Sequence, residues 1–331
     1  MTLAHTLKSV RRGMRLAARI ARANLADTAS KTPAARRSAG EGVVDFGEVG
    51  PNPGGLRLLA HGARPPPNRP LVVLLHGCGQ TAAAFAHASG WAALADRLGF
   101  ALLLPEQVEA NNHSRCFRWF QADDTVRGRG EGASIATMTR WAIQRFDAAP
   151  DQVFVAGLSA GGAMAAALLA AYPDLFRAGA VVAGMPVGSA QGAVQALMRM
   201  AHAAPALSTD PLGNQARLLA PDGYAGPWPR LSVWHGLADD VVVPGNGDIL
   251  AAQWRALHGL PDAPAGEEIL DGVSRRVWGD PEQPAVEQWV LPAQPHGYPV
   301  GPATRPKARF MLAAPVAATS AIAHFWGLAD A

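Results

Sequence analysis

The run Gly157-Leu158-Ser159-Ala160-Gly161 places one hydroxyl between two glycines, directly after the apolar segment Val153–Ala156 and before an Ala-rich segment. A strand, a tight turn and a helix in that order form the context of a nucleophile elbow. The turn lifts the serine above the carboxyl ends of the strands, and the helix start turns backbone N–H groups toward developing negative charge. A serine hydroxyl needs a base, and the base needs a carboxylate to orient it. With the order serine, acid, histidine, the acid follows a later strand. Leu231–Trp234 runs into His235-Gly236-Leu237-Ala238-Asp239-Asp240. Asp239 is the first carboxylate after that strand, with Asp240 the alternative. His235 ends the strand and reads as a structural hydrogen-bonder. Downstream, His258 and His324 fall on helical patterns, whereas His296 lies in Pro295-His296-Gly297 after the last strand. His296 is therefore the expected base.

An oxyanion formed at Ser159 needs two N–H donors. Ala160, the residue after the nucleophile, supplies one. The loop after Leu71–Leu75, His76-Gly77-Cys78-Gly79-Gln80, supplies the other through Cys78, with Gly79 as second choice. A cysteine nucleophile is the rival use of Cys78, but no separate Cys–His constellation supports it. Residues 111–120, Asn-Asn-His-Ser-Arg-Cys-Phe-Arg-Trp-Phe, form an aromatic loop after a central strand. Such a loop walls a substrate pocket. Trp119 is the expected wall, with Phe117 and Met185 as further substrate contacts. Cys116 is the one cysteine that could pair with Cys78 and pin this loop beside the oxyanion loop. Metal and nucleotide chemistry find little support. There is no His-Glu-x-x-His and no Cys-x-x-Cys, and Gly128-Arg129-Gly130-Glu131-Gly132 follows no strand and has no phosphate-binding lysine. No metal and no organic cofactor is expected.

The elements that must carry these residues alternate from about residue 43 onward. Strand patterns at 43–49, 56–61, 71–75, 101–104, 152–156, 178–182, 231–234, 269–278 and 285–291 interleave with helical patterns at 85–98, 135–146, 160–171, 247–257 and 316–328. Residues 106–130 read as a long polar loop, and 184–229 as an insert near the site with one helix at about 190–203. Alternation of this kind predicts an α/β fold with a mostly parallel central sheet and helices on both faces. At 331 residues the chain accommodates one such domain. Its 49% hydrophobic and 17% charged residues exclude a disordered chain. No run of 18 apolar residues spans a membrane.

The formal charge of +3 is unevenly spread. Residues 1–40 hold nine Lys/Arg against one acid, Asp27, a net of +8, whereas the remainder is −5 from twenty basic and twenty-five acidic residues. The acidic body argues against nucleic acid as a partner. Leu3, Leu7, Val10, Met14, Ala17, Ala21 and Leu25 fall within roughly 80° of helical arc, and Lys8 to Arg22 supply a separate basic arc of about 100°. Residues 1–25 thus read as a basic amphipathic helix suited to a polymer granule or an anionic membrane surface. A linker follows, so that residues 1–42 form a leader and 43–331 the catalytic domain. Arg15, Arg19 and Arg22 break any signal-peptide apolar core. That places the chain in the cell or on a granule, with export as the alternative.

Taken in order, several segments resemble the esterase family of polyhydroxybutyrate (PHB) depolymerases. They are Leu75-His76-Gly77-Cys78-Gly79-Gln80-Thr81, Asn111–Phe120, Gly157–Met164, Ala183–Gly188, His235–Asp239 and His296-Gly297-Tyr298-Pro299-Val300. The resemblance spans about residues 43–328. It implies an α/β-hydrolase fold, Ser159, Asp239 and His296 as triad, and Cys78 and Ala160 as oxyanion donors. It implies ester hydrolysis, of short-chain hydroxyalkanoate polyester or oligoester, with feruloyl and acetylxylan esters as the family's other substrates. The 35 residues after His296 are too few for the separate polymer-binding domain of many secreted depolymerases. A non-catalytic binding protein on this scaffold would lack a triad member, and here each has a candidate.

Overall fold

The computed structural model describes residues 42–62, 65–203, 209–302 and 308–328. The leader helix expected over residues 1–25 lies outside them. Ten strands form one sheet: β1 (Val43–Asp45), β2 (Arg57–His61), β3 (Arg69–Leu75), β4 (Ala101–Glu106), β5 (Ala148–Leu158), β6 (Ala178–Val182), β7 (Arg230–Gly236), β8 (Gly266–Leu270), β9 (Val273–Gly279) and β10 (Pro284–Leu291). Their order is β1-β2-β4-β3-β5-β6-β7-β10-β9-β8. The six central strands, β4 to β10 in that order, pair in parallel, and the pairs at both margins are antiparallel.

Central strands are apolar on both faces because both are covered. Alternation decides which face each side chain takes. Leu71, Val73, Leu75, Val153, Val155, Val181 and Val233 pack with residues of helices α4 (Gly130–Arg145), α5 (Ala160–Ala171) and α8 (Gly245–His258). Val72, Leu74, Phe154, Ala156, Val182 and Trp234 pack with α1 (Ala82–Ala88), α2 (Trp91–Leu98) and α9 (Ala318–Trp326). Every residue of α5 is buried. Its alanines and glycines let it lie close against the sheet, which a helix of larger side chains could not do. No helix among the described residues is long and apolar enough to cross a membrane.

Several local expectations change. The helix expected over 85–98 is two helices. Ser89 Oγ bonds back to Phe85 O, and Gly90 turns left-handed at φ +88°. The polar loop 106–130 contains a short helix, α3 (Ala122–Thr125). The insert holds α6 (Ala193–Ala201) and a second helix, α7 (Thr209–Arg217), which is polar overall and includes Pro211 and Gly213. The single strand expected at 269–278 is a hairpin. Leu270 pairs with Val273, so Asp271-Gly272 is a two-residue turn with φ +50° and +79°, the geometry Asp-Gly favours.

Candidate active site

The loops that follow β3, β4, β5, β6, β7 and β10 emerge at the carboxyl edge of the parallel strands, where ligands bind in open α/β sheets. Ser159 stands at the centre of that edge. It occupies φ +56°, ψ −118°, outside the regions normal for a side-chain-bearing residue. Its N–H donates to Val182 O at 2.9 Å, which ties the turn to the neighbouring β6. The turn is tight enough to need its glycines. A Cβ on Gly157 would lie 2.3 Å from the Gly161 backbone, and one on Gly161 would lie 2.2 Å from Leu75 O.

His296 reaches this serine from the loop after β10. Its Nε2 is 3.0 Å from Ser159 Oγ, and its Nδ1 is 2.8 Å from Asp239 Oδ2. Nδ1–H donates to the carboxylate, which leaves Nε2 to accept the serine proton. A two-strand ladder holds the histidine loop. β11 (Tyr298–Pro299) pairs with β12 (Met311–Leu312), and the Tyr298 hydroxyl is anchored between Trp91 Nε1 and Thr319 Oγ1 at 2.9 Å each. Asp239 is buried, while Asp240 is exposed. Asp239 Oδ1 accepts Val241 N at 2.9 Å and Val242 N at 2.8 Å. Burial pushes its pKa up, but the contacts with His235 and His296 outweigh that and hold it well below the usual carboxylate range. The acid is therefore ionised across the working pH range. His258 and His324 lie on α8 and α9, and neither joins this cluster.

The two oxyanion candidates are placed as follows. Ala160 opens α5, where helix geometry leaves its N–H without an intrahelical partner. The Gly79 N–H is already used, donating to Ser114 O at 2.8 Å. Among the described residues the Cys78 N–H has no such acceptor, so Cys78 is the free donor of that loop. The loop is braced from several sides. Gln80 accepts Gly77 N and donates to Arg309 O, both at 2.8 Å. Cys78 forms a disulfide with Cys116, which joins the loop to the aromatic segment.

The aromatic residues do not all line a pocket. Phe117 is fully buried, with its ring 5.1 Å from that of His76, so it supports the loop from inside and presents no surface to a substrate. Met185 is likewise buried, with Ala163 and Val242. Trp119 is half-buried and packs on that trio, which starts one helical turn beyond Ser159. Of the three expected contacts, Trp119 alone has substantial exposed surface.

A buried polar network behind the loop has no sequence signature. Glu131 accepts Arg118 N at 2.8 Å, Arg118 Nε at 3.0 Å and Gln107 Nε2 at 2.6 Å. Arg118 Nε also lies 3.0 Å from Asp124. Gln107 N donates to His76 Nε2 at 3.1 Å, and His76 Nδ1–H donates to Gly77 O at 2.8 Å. Burial lowers the His76 pKa to about 4, so the ring is neutral at pH 7. Burial pushes Glu131 up to about 7, with Asp124 adding to the rise and Arg118 and Gln107 opposing it. The partners of Glu131 lie up to 24 residues away in sequence, so only folding brings them together.

The sheet order and the serine–histidine–aspartate relay define the class, the α/β-hydrolase fold. Within it the chain belongs to the PHB depolymerase esterase family, whose model, described as "Esterase PHB depolymerase", matches residues 59–273. Poly(3-hydroxyalkanoate) depolymerase C of Paucimonas lemoignei is 37% identical over 266 residues, covering 79% of this chain and 63% of that protein. An acetylxylan esterase of Coprinopsis cinerea is 30% identical over 270 residues, covering 76% and 68%. Among solved structures, acetyl xylan esterase from Aspergillus awamori superposes with a TM-score of 0.74 at 22% identity, over 87% of this chain and 99% of that one. The chain thus spans under two thirds of the length of the depolymerase it matches.

Proposed function

We propose that the protein is a serine carboxylic ester hydrolase that cleaves short-chain hydroxyalkanoate polyester or oligoester through an acyl-enzyme. The relay from Ser159 through His296 to Asp239, at 3.0 and 2.8 Å, carries this reading. Ser159 Oγ attacks the ester carbonyl while His296 Nε2 takes its proton. The Cys78 and Ala160 amides stabilise the oxyanion. His296 returns the proton to the leaving alcohol, and Asp239 stabilises the imidazolium in between. Water, activated by the same histidine, then releases the acid. Trp119 and the apolar trio beside it suit a short aliphatic acyl group. The 37% identity to a poly(3-hydroxyalkanoate) depolymerase supports the polyester substrate. The second reading, an acetylxylan or feruloyl esterase, draws on the acetylxylan esterase relative and the likeness of fold.

On this reading residues 43–331 are one catalytic domain with 184–229 as an insert beside the site, and residues 1–25 attach it to a polymer granule or an anionic membrane. Ser159→Ala is expected to lower kcat on p-nitrophenyl butyrate by about 10⁴-fold or more. Retention of most activity would overturn the mechanism. A panel of 3-hydroxybutyrate oligomers, methyl ferulate and acetylated xylan separates the substrates. Preference for the oligomers is expected, and preference for xylan or ferulate would favour the second reading.

A further inference from the structure

His235, the one histidine of β7, takes no part in the proton relay, yet it is buried against the relay's acid. Its Nε2 is 2.8 Å from Val242 O and 3.4 Å from Asp239 Oδ2. The N–H points at the carbonyl, so its contact with the carboxylate is electrostatic rather than a linear hydrogen bond. Its other nitrogen, Nδ1, is buried without a hydrogen-bond partner among the described residues, and the ring packs against Gly247 in the first turn of α8. A buried N–H with no acceptor is costly, so Nε2, which faces the Val242 carbonyl, is the nitrogen placed to donate.

That single donor closes a loop. The side chain of His235 holds the carbonyl of Val242, and the amides of Val241 and Val242 hold Asp239 Oδ1. Residues 236–242 are thereby clamped at both ends, with the positive end of an N–H dipole beside Asp239 Oδ2, the oxygen that faces His296. We infer that His235 is a positioning residue for the acid. By tying Val242 to the end of β7 and placing its N–H beside Oδ2, it keeps that oxygen aimed at His296 Nδ1. This rests on the serine-esterase reading of the same site.

The test compares His235→Leu, His235→Gln and His235→Asn with wild type, reading kcat and KM on p-nitrophenyl butyrate and Tm for each variant. His235→Leu removes the donor. kcat is expected to fall roughly 10- to 100-fold, the scale of leaving a buried acceptor, here the Val242 carbonyl, without its donor, with KM nearly unchanged. Gln places a neutral N–H at the reach of Nε2 and restores most of kcat. Asn is too short and does not. The Gln–Asn comparison stands even if His235→Leu fails to fold. Wild-type kcat in His235→Leu would overturn the inference, as would equal kcat in the Gln and Asn variants. Ser159→Ala runs alongside. Activity retained in that variant sinks the serine-esterase reading itself. An inactive Ser159→Ala beside unaffected His235 variants sinks only the role of His235.

Discussion

Ser159 pays a conformational cost for its position: a non-glycine residue at φ +56° carries on the order of 1–3 kcal/mol of backbone strain. The bond to Val182 O and the buried helix behind it hold the residue there. The sequence already singled this serine out, because glycine spacing between a strand and a helix has a steric meaning. It left Asp239 and Asp240 open, since adjacent carboxylates differ only in which one the loop turns inward. In the structure Asp239 is buried, accepts two backbone amides and faces His296, whereas Asp240 is exposed. Glu131 is legible only in three dimensions, and its pH dependence has a definite sign. An unfolded glutamate loses its proton near 4.5, whereas the folded one keeps it up to about 7. Folding therefore takes up a proton between those values, and this group's contribution to stability falls as pH rises through them. Glu131→Gln removes that titration. The Tm advantage of wild type over the variant is expected to shrink between about pH 4.5 and 7 in thermal scans. A pH-independent difference would contradict the assignment.

At the scale of elements, the strand–turn–helix around Ser159 depends on contacts too close for any Cβ. Gly161→Ala drives a methyl into Leu75 O at 2.2 Å, with backbone on both sides and nothing flexible to yield. It is expected to cost about 1–3 kcal/mol or more, measured as a lowered urea midpoint, and to lower kcat with it. The disulfide joins two loops 38 residues apart in sequence. Replacing both cysteines with serine is expected to cost about 3 kcal/mol in unfolding experiments and to raise KM, because the aromatic loop loses its tether to the oxyanion loop. Unchanged stability and KM would show the bridge to be dispensable. The central strands and α5 were readable from apolar runs alone. The break at Ser89-Gly90 and the helix over 209–217 were not. In the first, a side-chain bond to the backbone ends a pattern that periodicity would continue. In the second, the helix is polar overall and contains Pro211 and Gly213, residue types that read as loop.

For the whole molecule, charge is divided between residues 1–40 at +8 and an acidic remainder at −5. An acidic remainder is repelled by anionic surfaces, so the proposed attachment through residues 1–25 works against that charge and weakens with salt. Deleting residues 1–40 is expected to leave hydrolysis of soluble esters intact and to reduce binding to PHB granules or anionic vesicles in a sedimentation assay. Equal binding with and without those residues would remove the case for an anchor. By itself the sequence determined the fold class and pointed to Ser159 and His296 as the pair that the structure brings within 3.0 Å, because each follows from local periodicity, glycine spacing or position along the chain. Only the tertiary structure turned Asp239 rather than Asp240 toward His296, and bonded the Gly79 N–H to Ser114 O. It also moved Phe117 and Met185 from the pocket wall into the core, and brought Glu131 and His235 to the loops they brace. Each of those outcomes depends on which groups from distant segments meet in a buried, low-dielectric space, and no spacing along the chain records that.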